Sequence, residues 1–302
     1  MPDIVNKTKT FPIPHKIAYW LSWNGYLGSH IYWKVALFFS KVEEDVIYKL
    51  PNGFILRADS KDWTSRTIYE GTYERALLQF LSSHRFSGLY IDVGANIGST
   101  LFSAMTDNFD ATYLAFEPSI QCHTAINSLE KELQQKGRVE TFAVGEAHGN
   151  GSLFGSNNPN HSGAASLLNL TNANVTQQDV EIIALDEYIQ NEYGTFELDI
   201  SILKIDTEGF EQEVIKGAKR ILATNSIGIL ILEVSPNFGD TSWIKELPTY
   251  IGQNYTWFDL TERHFFHKRP YLKLVSINEA VAATHQFNLV LVRNNELAHL
   301  PI

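Results

Sequence analysis

Tyr90-Ile91-Asp92-Val93-Gly94-Ala95-Asn96-Ile97-Gly98 is the stretch whose reading decides the fold. The apolar run Gly88-Leu89-Tyr90-Ile91 before the turn predicts a strand, and Ser99–Met105 after it predicts a helix. Asp-x-Gly-x-Asn-x-Gly between them predicts a tight turn whose small residues let backbone approach a ligand at the helix N-terminus. A second strand, Ala111–Phe116, runs into Glu117. An acidic residue there can accept both hydroxyls of a ribose, as in nucleoside-binding doubly wound sheets. The unit predicts an α/β domain that binds an adenosine-type cofactor.

What the turn lacks narrows the cofactor. A dinucleotide turn needs Gly-x-Gly-x-x-Gly, the second glycine making room for pyrophosphate. Asn96 stands at that place. Asn tolerates left-handed dihedrals, so the turn can form, but its side chain crowds a diphosphate. Asp92 repels phosphate and suits a cofactor with an ammonium group. No Gly-Lys-Ser/Thr follows, which excludes a P-loop. S-adenosylmethionine has the amino group, carries no phosphate, and is the cofactor expected.

Outward from this unit, strands alternate with helical stretches: residues 139–144, 181–184, Ile200–Ile205 and 227–233 read as further strands of one sheet. That alternation predicts a parallel sheet. Residues 257–260 and 287–292 are late strand candidates, with a basic aromatic segment, residues 263–271, read as a loop between them. Before the sheet, residues 45–50 and 54–59 flank Asn52-Gly53 and predict a β-hairpin. Residues 60–83 are read as holding a helix, and 157–174 as a second long irregular stretch. The domains expected are an N-terminal aromatic helical extension with its hairpin, residues 1–60, and a cofactor-binding domain, residues 61–302.

Hydrophobic content of 44% and charged content of 19% describe a chain with a substantial core. A net charge of −10 argues against nucleic acid as substrate, since phosphate binding needs basic surface. Cys122 is the only cysteine, so no intrachain disulfide can form. The first residues lack a signal peptide's apolar core, and Asn-x-Ser/Thr sequons, for instance at Asn6 and Asn174, read as chance in an Asn-rich chain, so a cytoplasmic protein is expected. No run reaches the roughly 18 apolar residues of a membrane span. Residues 17–39, with Tyr19, Trp20, Trp23 and Tyr26, read as a packed cap or homo-oligomer contact, with membrane-surface contact as the alternative.

Leu203-Lys204-Ile205-Asp206-Thr207-Glu208-Gly209-Phe210-Glu211, Ile229 to Pro236, and Glu140 to Gly145 complete a set with Asp92-x-Gly94-x-Asn96-x-Gly98 and Phe116-Glu117-Pro118. Together these resemble the FkbM family of S-adenosylmethionine-dependent methyltransferases, over roughly residues 73–236. The resemblance implies a class I methyltransferase (Rossmann-like) fold, a seven-stranded, mostly parallel sheet whose last strand is antiparallel. It also implies O-methylation of a small-molecule or glycan hydroxyl. N- or C-methylation remains an alternative, although no Asn/Asp-Pro-Pro-Tyr string is present. A nicotinamide reductase lacks both room for pyrophosphate and a Tyr-x-x-x-Lys pair; a non-catalytic module retaining the fold is the remaining reading.

The expected cofactor contacts are Gly94, Asn96 and Gly98 beside the methionine part and Asp92 at its amino group. Glu117 is expected on the ribose, with Val144 and Gly145 near adenine. Glu74 lies in a Gly71-x-Tyr73-Glu74 string that resembles the family's own and is expected to contact cofactor or acceptor. Methyl transfer needs an aligned hydroxyl and help in removing its proton. Asp206 and Glu208, at the carboxyl end of a central strand, are the catalytic candidates. Glu208 is also read as the carboxylate at the start of a helix. Asp206 and Glu233, one strand apart, could hold Mg2+ through oxygen ligands. If a histidine is the base, His161 or His264 is favoured, because each lies in a loop beyond the strand ends.

Overall fold

A computed structural model of the chain describes residues 9–26, 29–39, 47–51, 54–57, 61–108, 110–130, 133, 136–155, 165–168, 177–224, 226–264 and 268–300. The sequons at Asn6 and Asn174, the Asn52-Gly53 turn, His161 and His267 lie outside the described residues.

The N-terminal part opens with β1 (Lys9–Thr10), α1 (Ile13–Trp23) and α2 (Ser29–Phe39), followed by the antiparallel pair β2 (Ile47–Lys49) and β3 (Ile55–Arg57). β1 pairs in parallel with β2. Phe11, Tyr19, Trp33, Tyr48 and Tyr69 form one buried aromatic cluster that also takes in Ile97, Phe102 and Cys122 of the sheet domain. Residues 60–83 hold two helices rather than one, α3 (Trp63–Tyr69) and α4 (Arg75–Ser83). Gly71 (φ +69°) and Glu74 (φ +35°) take left-handed dihedrals between them, and a continuous helix cannot pass through two such residues.

Then come β4 (Gly88–Val93), α5 (Ser99–Met105), β5 (Ala111–Phe116), α6 (Ile120–Glu130) and β6 (Gly137–Glu140), the three strands running parallel. β7 (Ala143–Gly145), β8 (Gly149–Phe154) and β9 (Gln177–Ala184) form a separate three-stranded sheet. Residues 139–144 are therefore not one strand. The chain leaves the main sheet after Glu140, and Ala143 to Gly145 pair with Ile182 to Ala184. Residues 181–184, expected in the main sheet, belong to this side sheet for the same reason.

α7 (Leu185–Tyr193) leads to β10 (Ile200–Ile205), α8 (Glu211–Gly217), α9 (Lys219–Ala223) and β11 (Ile227–Val234). The chain closes with α10 (Leu247–Ile251), β12 (Tyr255–His264), β13 (Lys268–Leu274), α11 (Ile277–Val281) and β14 (Phe287–Arg293). The strand order is β13-β12-β14-β11-β10-β4-β5-β6, with β14 antiparallel to β11. This is the class I methyltransferase plan with an eighth, edge strand. The segment read as a loop at residues 263–271 supplies it: β12 and β13 pair there as an antiparallel hairpin.

β11 is buried along its whole length, as a parallel strand covered on both faces must be. Leu89, Ile91 and Val93 of β4 pack on one face with Leu203, Ile205, Leu230 and Leu232. Tyr90 packs on the other with Ile202, Ile229 and Ile231. Alternation through the pleat makes two cores from one sheet.

Candidate functional site

Strand order reverses between β4 and β10, and a cavity of about 760 Å³, counted with its open mouth, lies at the carboxyl ends of β4, β5 and β10. That is where doubly wound sheets hold ligands. Gly94, Asn96, Glu117, Phe142, Val144, Leu153, Leu167, Tyr73, Glu74, Asp206 and Glu208 line it.

Its floor is the β4–α5 turn. Gly94 has φ +83°, and a β-carbon there would lie 1.8 Å from the Asp206 carbonyl oxygen. Only glycine fits. Asn96 has φ +50° and donates its backbone N–H to Glu117 Oε2 at 2.7 Å. Glu117 Oε1 accepts from the Ser119 N–H at 2.8 Å. Burial pushes the Glu117 carboxyl up to about 7, opposed by these two backbone donors.

Asp92 is not part of the cavity wall. Its carboxylate is fully buried and accepts from the Tyr90 and Thr100 hydroxyls at 2.9 and 2.6 Å, while Lys204 Nζ lies 3.2 Å away. Lys204 and Asp92 are direct partners in the β10–β4 register. Lys204 Nζ also reaches Asp206 at 3.1 Å and the Gly94 carbonyl at 3.2 Å. Burial disfavours the charged ammonium, but Asp206 and Asp92 outweigh it and raise the Lys204 pKa. Asp206 thus pairs with Lys204 at the cavity wall.

Around Asp206 stand three further carboxyl groups. Burial, reinforced by the charge on Asp206, pushes Glu74 and Glu208 each up to about 8. The same causes hold Glu233 well above the usual carboxylate range. Oxygens of Glu74, Asp206 and Glu233 lie within 4.8 Å of one another. Glu233 Oε1 accepts from Gln286 Nε2, while its buried Oε2 has no hydrogen-bond partner. Among the described residues, Glu74, Asn96 and Glu208 are the non-glycine residues with positive φ, and all three line the cavity. Strain of this kind collects where a side chain must be aimed for function.

Most expected site residues therefore converge: Glu74, Gly94, Asn96, Glu117, Val144, Asp206 and Glu208 on the cavity, and Glu233 beside it. Gly98 does not line it; with φ +83° it caps α5 and donates its N–H to Ala95. Gly145 is turned to the opposite packing surface, its carbonyl against α8, where a β-carbon on Gly217 would meet it at 1.9 Å. The helix expected to start around Glu208 begins instead at Glu211. Glu211 Oε1 accepts from the backbone N–H groups of Thr207 and Gly209, so Glu211 and not Glu208 is the carboxylate at the helix start. Lys204 and the apolar wall of Phe142, Leu153 and Leu167 were missed. Lys204 had a signal, since residues two apart on a strand share a face with Asp206.

A pH dependence follows. Glu74, Glu117 and Glu208 titrate higher in the folded protein than the ordinary glutamate value of 4.5. Between that value and about 8 the folded state binds more protons than the unfolded chain, so stability falls as pH rises through this window. Each pKa unit is worth about 1.4 kcal/mol. The ligand-free thermal midpoint is expected to drop by on the order of 5 °C from about pH 5.5 to about pH 8.5. A midpoint that stays level or rises would contradict the arrangement.

A family model described as the methyltransferase FkbM domain matches residues 92–268, more than half of the chain. Among solved structures, magnesium protoporphyrin IX methyltransferase from Synechocystis PCC 6803 with bound SAM is 10% identical at a TM-score of 0.39, covering 95% of this chain and 100% of that one. Precorrin-6y C5,15-methyltransferase from Geobacter metallireducens GS-15 is 13% identical at 0.37, covering 72% and 86%. An rRNA methylase from Streptococcus thermophilus is 13% identical at 0.35, covering 72% and 93%. Similarity at this level carries no information on substrate. No curated protein sequence matches the chain.

Proposed function

The chain belongs to the methyltransferase FkbM domain family, and from that premise we propose that it transfers the methyl group of S-adenosylmethionine to a hydroxyl of a small molecule or glycan. The observation that carries the hydroxyl reading is the gathering of Glu74, Asp206 and Glu208 on the cavity, two of them with pKa values near 8. An alcohol is a poor nucleophile, and a base works best when its pKa lies near the operating pH.

When bound, the cofactor supplies an electrophilic methyl on its sulfonium. The residues of the chain bind and align. Each Glu117 oxygen already accepts one backbone N–H and keeps a second lone pair for a ribose hydroxyl. Phe142, Val144, Leu153 and Leu167 offer an apolar wall suited to adenine. Gly94 and Asn96 keep the backbone open beside the methionine part, and Glu74 contacts cofactor or acceptor. Glu208 takes the hydroxyl proton, and Asp206, its charge anchored by Lys204 at 3.1 Å, orients the hydroxyl.

A second feature supports help from Mg2+. Three carboxylates from separate elements, with the orphaned Oε2 of Glu233 among them, are a hard-oxygen donor set that fits this ion. Glu74, Asp206 and Glu233 would hold it, and it would supply Lewis-acid polarisation of the acceptor oxygen.

Calorimetry tests the cofactor. S-adenosylhomocysteine is expected to bind with a micromolar-range Kd and NAD not at all; NAD binding without S-adenosylhomocysteine binding would sink the reading. Glu117→Ala should weaken S-adenosylhomocysteine by about 1.5–3 kcal/mol, the range for hydrogen bonds to a charged group. An unchanged affinity in the folded variant would put the ribose partner elsewhere. Transfer of a labelled methyl to alcohols and to their amino analogues tests the acceptor, and label confined to amines would overturn the hydroxyl.

A further inference from the structure

We propose that the outer face of α1 and α2 seats the protein on an anionic lipid bilayer. Most of the large apolar side chains exposed among the described residues lie on these two helices. On α1, Ile13 (73% exposed), Ile17 and Trp20 recur at i, i+4, i+7; on α2, Ile31, Val35 and Phe38 (85% exposed) do the same. The inner face is satisfied by other residues: Ala18, Tyr19 and Ser22 on α1, Trp33 and Ala36 on α2, all buried. Each helix thus has one apolar side for the core and another for the outside. Among the described residues, eight large apolar side chains of this helix pair face water, more than the scattered single exposures of a soluble monomer would give.

Charge decides what covers it. Residues 4–42 contain five lysines, two histidines and no aspartate or glutamate, in a chain of net charge −10. Lys16 and Lys34, both exposed, sit among the apolar positions. A second copy docking by the same face would bring like charges together, because a two-fold contact pairs the patch with itself. Anionic headgroups match both properties: lysines meet the lipid phosphates while Trp20, Ile17 and Phe38 enter the headgroup boundary. No described helix is long and apolar enough to cross a membrane, so the pair lies on the surface rather than through it.

The face is tied to the site. Trp33 Nε1 donates to the Glu70 carbonyl at 3.0 Å, and Arg75 donates to the Ser22 carbonyl at 2.8 Å. Those two bonds bracket the Gly71–Glu74 bend that delivers Glu74 to the cavity. Seating the helices on a bilayer therefore holds the cavity at a fixed place relative to the lipid surface, whatever the acceptor is.

Flotation of the full chain with vesicles tests this, using phosphatidylcholine alone or with about one third phosphatidylglycerol. The chain is expected to float with the anionic vesicles about tenfold more than with neutral ones, and less at high salt. Ile17→Glu with Phe38→Glu should cut partitioning at least about tenfold with S-adenosylhomocysteine affinity unchanged. Should that pair fail to fold, Lys16→Glu with Lys34→Glu should erase the preference for anionic lipid alone. Failure of the parent to float with either vesicle overturns the proposal. So does a dimer in sedimentation equilibrium that the Ile17/Phe38 substitutions split, since the occupant is then a second copy.

Discussion

Gly94→Ala is expected to destabilise the protein by about 4–5 kcal/mol or more, at the extreme of single-residue effects, and to abolish S-adenosylhomocysteine binding. The added β-carbon would stand 1.8 Å from the Asp206 carbonyl oxygen and 2.9 Å from its carbonyl carbon. Both are backbone atoms, so no rotamer relieves the clash. The strands cannot part cheaply either, because the Asp206 N–H donates to the Val93 carbonyl at 3.0 Å and Lys204 Nζ to the Gly94 carbonyl. Moving one atom set disturbs the buried Asp92–Lys204–Asp206 chain, whose charges depend on their partners.

Gly194→Ala separates the clash from backbone strain. Gly194 also has a positive φ, +68°, but a β-carbon there meets nothing within 4 Å. It should cost only the left-handed penalty, about 1–2 kcal/mol. Denaturant midpoints of the two variants measure the difference. If Gly94→Ala costs no more than Gly194→Ala, the close approach of β4 to the end of β10 is wrong, and with it the shape of the cavity floor.

The parts of this fold legible in the sequence are those whose signals are local. The β4 turn announces itself through residues a few positions apart, and long apolar runs mark β10 and β11. Glu117, Asp206 and Glu233 could be placed because strand ends can be read without knowing the neighbours. Asp92 could not, since its diversion from the cavity depends on a partner 112 residues away across the β10–β4 register. Residues 139–145 look like one strand because nothing in their composition marks where the chain changes sheets. The 263–271 segment looks like a loop because its polar, basic residues suit an edge strand as well as a connection. Glu74's arrival beside Asp206 required a left-handed bend at a glutamate, which sequence patterns disfavour.

Asp206→Asn is expected to lower turnover by on the order of 10²–10⁴ while S-adenosylhomocysteine affinity changes little. The carboxylate lines the cavity next to Glu74 and Glu233, and its charge contributes to raising Glu74, Glu208 and Glu233 together. Removing that charge takes away the largest electrostatic cause that raises these groups, so their pKa values fall. The residual activity should therefore have its basic-group limb moved to lower pH, which a loss of packing alone would not do. Chelator divides the remaining roles. Activity abolished by chelator in the parent and restored by Mg2+ assigns Asp206 with Glu74 and Glu233 to the ion; indifference leaves Asp206 as the group that orients the hydroxyl. The Lys204–Asp92 pair, 3.2 Å apart, does not depend on the Asp206 carboxylate, so the sheet survives the substitution. A folded Asn variant that turns over like the parent, with an unmoved pH profile, would make Asp206 a structural partner of Lys204 and nothing more.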